Sequence, residues 1–133
     1  MVTTNPSVLF DFADQIALIS SETLRFRLKN KSTLSKDEKS ELEDIEIKLD
    51  MATAEVRAKG IESLGTVAKN ALIEVKAATK NAEALLRRIK KTERALRIAT
   101  SVLNLALAAI AGQPQAILIA LSTVKDAIAS DTG

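Results

Sequence analysis

The chain is predicted to fold entirely as α-helix, in an antiparallel bundle, and three observations predict it. Nearly half of its 133 residues are apolar, yet almost all of these are Ala, Leu, Ile and Val, with Phe10, Phe12 and Phe26 the only aromatics. Turn formers are scarce, with four glycines and two prolines, whereas strand-rich domains need turn signals every ~8–12 residues. Apolar positions also recur at alternating spacings of three and four, the period of a helix that buries one face. A chain of this length fits a single domain, residues 1–133, with a modest core.

Each element has its own signals. Asn5-Pro6 reads as an N-cap followed by a first-turn proline, whose missing N–H is not needed there. A first helix over about 6–29 then places Leu9, Phe12, Ile16 and Ile19 on one face, and Asn30 can close it. Ser35 and Glu38 have the spacing of a capping box. They open a second helix over about 36–59, with Leu42, Ile45, Leu49, Ala52 and Val56 as its stripe. Lys59-Gly60-Ile61 reads as its end, with Gly60 in the left-handed position and Ile61 folding back on Val56. A stutter that carries the helix through Gly60 is the competing reading, since Ala52, Val56, Gly60, Leu64 and Ala68 sit four apart.

Beyond Gly60 the repeat becomes regular. Ile61, Leu64, Ala68, Ala71, Val75, Ala78, Ala82, Leu85, Ile89, Thr92, Leu96, Ala99, Leu103, Ala106 and Ile110 fall on one heptad seam. This predicts an unusually long third helix over about 61–111, on the order of 75 Å if unbroken. Gly112-Gln113-Pro114 stops it, and a last helix over about 114–129 carries Ile117, Leu121, Val124 and Ile128. The architecture expected is therefore about four helices, a three-helix body with an apolar hairpin of residues 95–129 extending from it. A break near Lys91-Thr92 would instead fold the hairpin back into a compact five-helix domain. The Ala-rich seam buries little area per residue, so a second subunit is a natural way to complete it.

Composition limits the chemistry. The chain holds no Cys, His, Trp or Tyr. Catalytic triads built on histidine and zinc sites of the usual kinds are therefore excluded. Without cysteine there is no disulfide framework, so the expected location is cytoplasmic, at most peripheral to a membrane. Asp11 and Asp14 interrupt any apolar core of a signal peptide. Gly60-x4-Gly65-Thr66 approaches the spacing of a phosphate loop, but its lysine is missing and no strand precedes it. No catalytic residue, metal site, cofactor or small-molecule substrate is expected, and the chain is read as a non-enzyme.

Two features remain as candidate sites. Arg87, Lys90, Lys91, Arg94 and Arg97 gather on the side of the long helix opposite its seam, with Arg88 at the margin of that stripe. The acidic run Asp37 to Asp50, with seven acids against two lysines, nearly cancels them. Nucleic acid is disfavoured, because the chain offers no aromatic platform or base-reading group beside the stripe and its net charge is only +2. From Ile98 to Val124 follow 27 residues without a charge. That exceeds the ~20 needed to span a bilayer, but Asn104 and Gly112-Gln113-Pro114-Gln115 divide the run. Leu103, Leu107, Ile110, Ile117, Leu118, Leu121 and Val124 are its expected contact surface. The functional expectation is a small interaction protein that self-associates, a dimer by preference, or docks on a helical partner through this hairpin. The alternative is an amphitropic protein that lays the hairpin on a membrane, with the basic stripe at the headgroups.

Overall fold

The computed structural model describes residues 6–64 and 69–129, with side chains described for 12–58 and 73–129. All secondary structure among them is helical, in five elements: α1 (Pro6–Lys29), α2 (Lys36–Leu64), α3 (Lys69–Arg88), α4 (Thr92–Ala111) and α5 (Pro114–Ala129). Asn5, Leu9, and the seam positions Ile61, Leu64, Ala68 and Ala71 lie outside the described side chains.

The local signals act as their chemistry requires. Asn30 closes α1 by donating both its backbone N–H (3.0 Å) and its side-chain amide (2.9 Å) to the Phe26 carbonyl. Ser35 and Glu38 exchange reciprocal bonds. The Ser35 N–H donates to Glu38 Oε1 at 2.8 Å, and the Glu38 N–H donates to Ser35 Oγ at 3.1 Å, which satisfies two of the free donors of the α2 N-terminus. Gly112 ends α4 at φ 70°, ψ 25°, its N–H shared between the Ala108 and Ala109 carbonyls, in a left-handed conformation that glycine adopts without steric cost. Pro114 then opens α5.

Two sequence expectations are corrected. α2 does not end at Gly60 but continues to Leu64. A glycine inside a helix costs only about 1 kcal/mol, an amount a helix of 29 residues tolerates. The long third helix is also absent. It is divided into α3, which ends at Arg88, and α4, which begins at Thr92, so the count is five rather than four. Lys91 occupies the N-cap position of α4 in an extended conformation and makes no side-chain cap. Neither proline nor glycine stands at this break.

The chain directions follow from cross-helix bonds. Arg27 near the end of α1 meets Glu46, while Asp14 meets Arg57, so α2 runs antiparallel to α1. Arg87 reaches Glu22, and Leu86, Arg87 and Ile89 line one groove with Glu22, Arg25, Phe26 and Lys29, so the last turns of α3 and α1 lie together and α3 runs parallel to α1. α4 therefore runs back alongside α2, and α5 returns, its Ile128 carbonyl accepting a 3.1 Å bond from Arg94. α4 packs against all four other helices. Its buried residues accordingly cover most of its circumference, among them Ile98, Val102, Leu105 and Ala109. The hairpin does not extend from the body; its α4 arm is the centre of the body, and α5 packs on α3 and α4.

The buried threonine hydroxyls are satisfied locally. Thr23, Thr53 and Thr79 each donate to the carbonyl four residues back, at 2.7, 2.8 and 2.7 Å. Unpaired, each would cost on the order of 1–3 kcal/mol.

Candidate interaction surface

Folding the hairpin into the bundle redistributes its expected surface. Leu103, Ile117, Leu121 and Val124 are buried, and Ile110 is partly so. Leu107 (49 % exposed) and Leu118 (51 %) stand open, joined by Ile119 (69 %). The hairpin register sets Leu107 level with Leu118, since Ala111 and Pro114 flank the turn. These three side chains therefore mark the end of the bundle where α4 turns into α5. α4 is also long and apolar enough to cross a membrane, by length and composition, but half of that stretch is buried within the bundle, as befits a core helix.

The basic stripe is not one helical face. The break between α3 and α4 places Arg87 and Arg88 in the last turn of α3 and Arg94 and Arg97 on α4, with Lys90 and Lys91 in the connection. Arg87 is engaged by carboxylates. Its Nε donates to Glu22 Oε2 at 2.9 Å and its Nη2 to Glu83 Oε2 at 2.5 Å. The hydrogen bond that Arg87 donates to Glu22 raises the Arg87 pKa above the usual arginine value, helped by the charge of Glu83. Arg94 binds the C-terminal carbonyl of Ile128, the end of a helix that favours a cation. Arg88, Lys90, Lys91 and Arg97 are exposed.

The acidic run meets a different cation. Arg27 of α1 binds Glu46 with two parallel bonds, Nε to Oε2 at 2.7 Å and Nη2 to Oε1 at 3.0 Å, and lies 3.5 Å from Glu43. The bond to Glu46 raises the Arg27 pKa, against a smaller opposing effect of burial. Glu46 is nearly buried and its backbone carbonyl accepts from Ser20, so this fork fixes the register of α1 on α2.

Two surface features were not anticipated. A groove of about 300 Å3 runs between α1 and the end of α3, lined by Glu22, Arg25, Phe26, Lys29, Leu86, Arg87 and Ile89. It joins the cations of α1 to those of the α3–α4 corner. Leu24 and Leu28 are exposed beside Arg25 and Lys29. The second feature is the outward side of α2, where Ile47 (59 %) and Met51 (60 %) are exposed one turn apart. Their signal was in the sequence, a stripe Ser40, Asp44, Ile47, Met51, Ala54, Ala58 at spacings of four and three, opposite the buried stripe.

Among the described residues no group of three or more carboxylates is placed to hold a metal ion. Comparison with family models, characterised proteins and solved structures finds no match to this chain.

Proposed function

We propose that this chain is a non-catalytic interaction protein, a five-helix bundle that associates with a second copy or a helical partner through the open end of its α4–α5 hairpin. The observation that carries the reading is the exposure of Leu107, Leu118 and Ile119 on a hairpin whose other large apolar residues are buried or partly buried. Large apolar side chains grouped at one end of a bundle mark contact surfaces more often than isolated ones do. A cytoplasmic site of action, no cofactor and no small-molecule substrate belong to the same proposal. Sedimentation velocity over the micromolar range tests it. Leu118→Glu with Ile119→Glu should lower the average mass while leaving the helical circular dichroism unchanged. An identical mass distribution for both chains would refute self-association through this end.

A second reading rests on a separate observation. Leu24 and Leu28 flank Arg25 and Lys29, and the groove beside them leads to the Arg88–Lys91 corner. An anionic bilayer would meet leucines and cations together there, so an amphitropic role would use this end and not the hairpin. Co-sedimentation with anionic vesicles that is lost in salt, and in Arg88→Glu with Lys90→Glu and Lys91→Glu, would support it. Absence of binding at low salt would eliminate it.

A further inference from the structure

We propose that the outward face of α2 is a homodimer interface, in which two copies of α2 pack antiparallel about a two-fold axis near Met51. The inference goes beyond the hairpin reading and is independent of it.

The argument starts from periodicity. α2 buries Leu42, Ile45, Leu49, Ala52 and Val56 against its own bundle. On its opposite side Ser40, Asp44, Ile47, Met51, Ala54 and Ala58 repeat at spacings of four and three, and those from Asp44 on are exposed. A single exposed Ile or Met needs no explanation. Four apolar residues in heptad register do, because that spacing keeps one face toward a partner helix along its length.

The identity of the partner follows from self-complementarity. In an antiparallel pair centred on Met51, residues whose numbers sum to about 102 lie opposite each other. Met51 then meets its own copy, Ile47 meets Ala54, and Asp44 meets Ala58, so large side chains face small ones. Lys48 and Glu55 flank the seam on one side and meet each other across it, and the two-fold axis makes that pair twice. A parallel pair loses these features, since it would set Asp44 against Asp44 within the seam and Ile47 against Ile47. Asp44 already has its charge partnered, with Lys48 Nζ 2.9 Å away in the same chain. An ammonium has three donors, so Lys48 can hold Asp44 and the Glu55 of the second copy together. On the far side Glu43 and Arg57 are committed within the chain, to Arg27 and Asp14.

The absence of cysteine from the sequence makes the test direct. Single substitutions Met51→Cys, Asp44→Cys and Ala58→Cys are introduced into the full chain and oxidised at micromolar concentration. Met51→Cys should cross-link to itself. Asp44→Cys alone should not, because its copies would lie about 21 Å apart by the helix rise, whereas a mixture of Asp44→Cys with Ala58→Cys should give the mixed dimer. Self-linking of Asp44→Cys as efficient as that of Met51→Cys would overturn the antiparallel arrangement, and no Met51→Cys dimer would overturn the interface. Without any cysteine, Lys48→Glu should weaken the dimer roughly tenfold by sedimentation, two pairs being lost, and Lys48→Glu with Glu55→Lys should restore it. Failure of the charge swap to restore the mass would point to a different partner for this face and overturn self-recognition. Met51→Cys carrying Leu118→Glu and Ile119→Glu should still cross-link; its loss would show that the hairpin end, not α2, holds the copies together.

Discussion

The corner between α3 and α4 can be tested by a substitution whose effect changes sign with the local structure. Lys91 stands at the N-cap of α4, with φ −84° and ψ 121°, and makes no side-chain cap. Replacing it by Asp would supply an oxygen to the free N–H groups of the first turn and a negative charge at the positive end of the helix dipole. The suitable reference is Lys91→Ala, because both variants remove whatever the lysine side chain contributes. At an N-cap, Asp exceeds Ala by about 1 kcal/mol, within a range of about 0.5–2. Inside an unbroken helix, the structure that the heptad seam alone predicts, Asp would instead fall below Ala by roughly 0.6 kcal/mol. For a chain of this length 1 kcal/mol moves the thermal midpoint by roughly 3–5 °C, well within the resolution of circular dichroism at 222 nm. Lys91→Asp should therefore melt above Lys91→Ala, while Asp and Ala at Lys80, inside α3, should show the reverse order. A lower midpoint for Asp than for Ala at position 91 would refute the corner and restore the long helix.

Two further outcomes follow from the ion pairs. Arg27→Ala should destabilise the fold by about 2–3 kcal/mol in urea titrations, because it leaves Glu46, with an 11 % exposed side chain, without its fork. That is less than the loss in a fully buried pair, since Arg27 keeps some solvent contact. Arg27→Met with Glu46→Met should fall within about 1 kcal/mol of the parent, and a double variant as damaged as the single one would show that packing, not charge, holds this site. The pH dependence is set by groups that do not titrate near neutrality. Arg27 and Arg87 have pKa values raised above the usual arginine value by bonds to Glu46 and Glu22. A raised pKa in the folded state adds stability that is fully present below the ordinary arginine value and is lost only above the raised one. With no histidine or cysteine in the chain, the thermal midpoint should stay flat between about pH 6 and 9, and a slope there would reveal a shifted group elsewhere.

Local chemistry was legible in the sequence, and the packing partners were not. The Ser35–Glu38 box, the Gly112 stop and the stripes of α1 and α2 are set by residues within a few positions of each other, so the chain alone announces them. The α3–α4 segment carries two interleaved stripes instead. One is the seam Leu85, Ile89, Thr92, Leu96, Ala99, Leu103, Ala106, Ile110, which favours continuation. The other is Ala95, Ile98, Val102, Leu105, Ala109, all buried in α4, whereas Ile89, Leu96 and Ile110 are only partly so. A helix at the centre of a bundle uses both stripes, and which one governs depends on neighbours that the sequence does not place. The same reasoning explains the hairpin. Its apolar residues looked surplus when set against α5 alone, but α1, α2 and α3 cover them. The outward stripe of α2 is masked in the sequence by the seven acids between Asp37 and Asp50, which interleave with Ile47 and obscure the apolar phase it shares with Met51.

The two proposed surfaces together constrain assembly in a way neither does alone. α2 and α4 run in the same direction, so the α4–α5 turn, with Leu107, Leu118 and Ile119, lies at the end of the bundle where α2 finishes. An antiparallel pair of α2 helices, each on the order of 44 Å long, would then carry one hairpin patch at each opposite end. If each patch also takes another copy, two different two-fold contacts alternate along the assembly, and such contacts build an open chain unless their axes close it into a tetramer. Mass should therefore rise in even steps with concentration. Leu118→Glu with Ile119→Glu should stop growth at the dimer joined through α2, and Met51→Glu should stop it at the dimer joined through the hairpin. A mass that stays at one dimer in the parent chain and becomes monomeric with either variant would mean that the two patches form one continuous interface, and the α2 axis would then have to be abandoned.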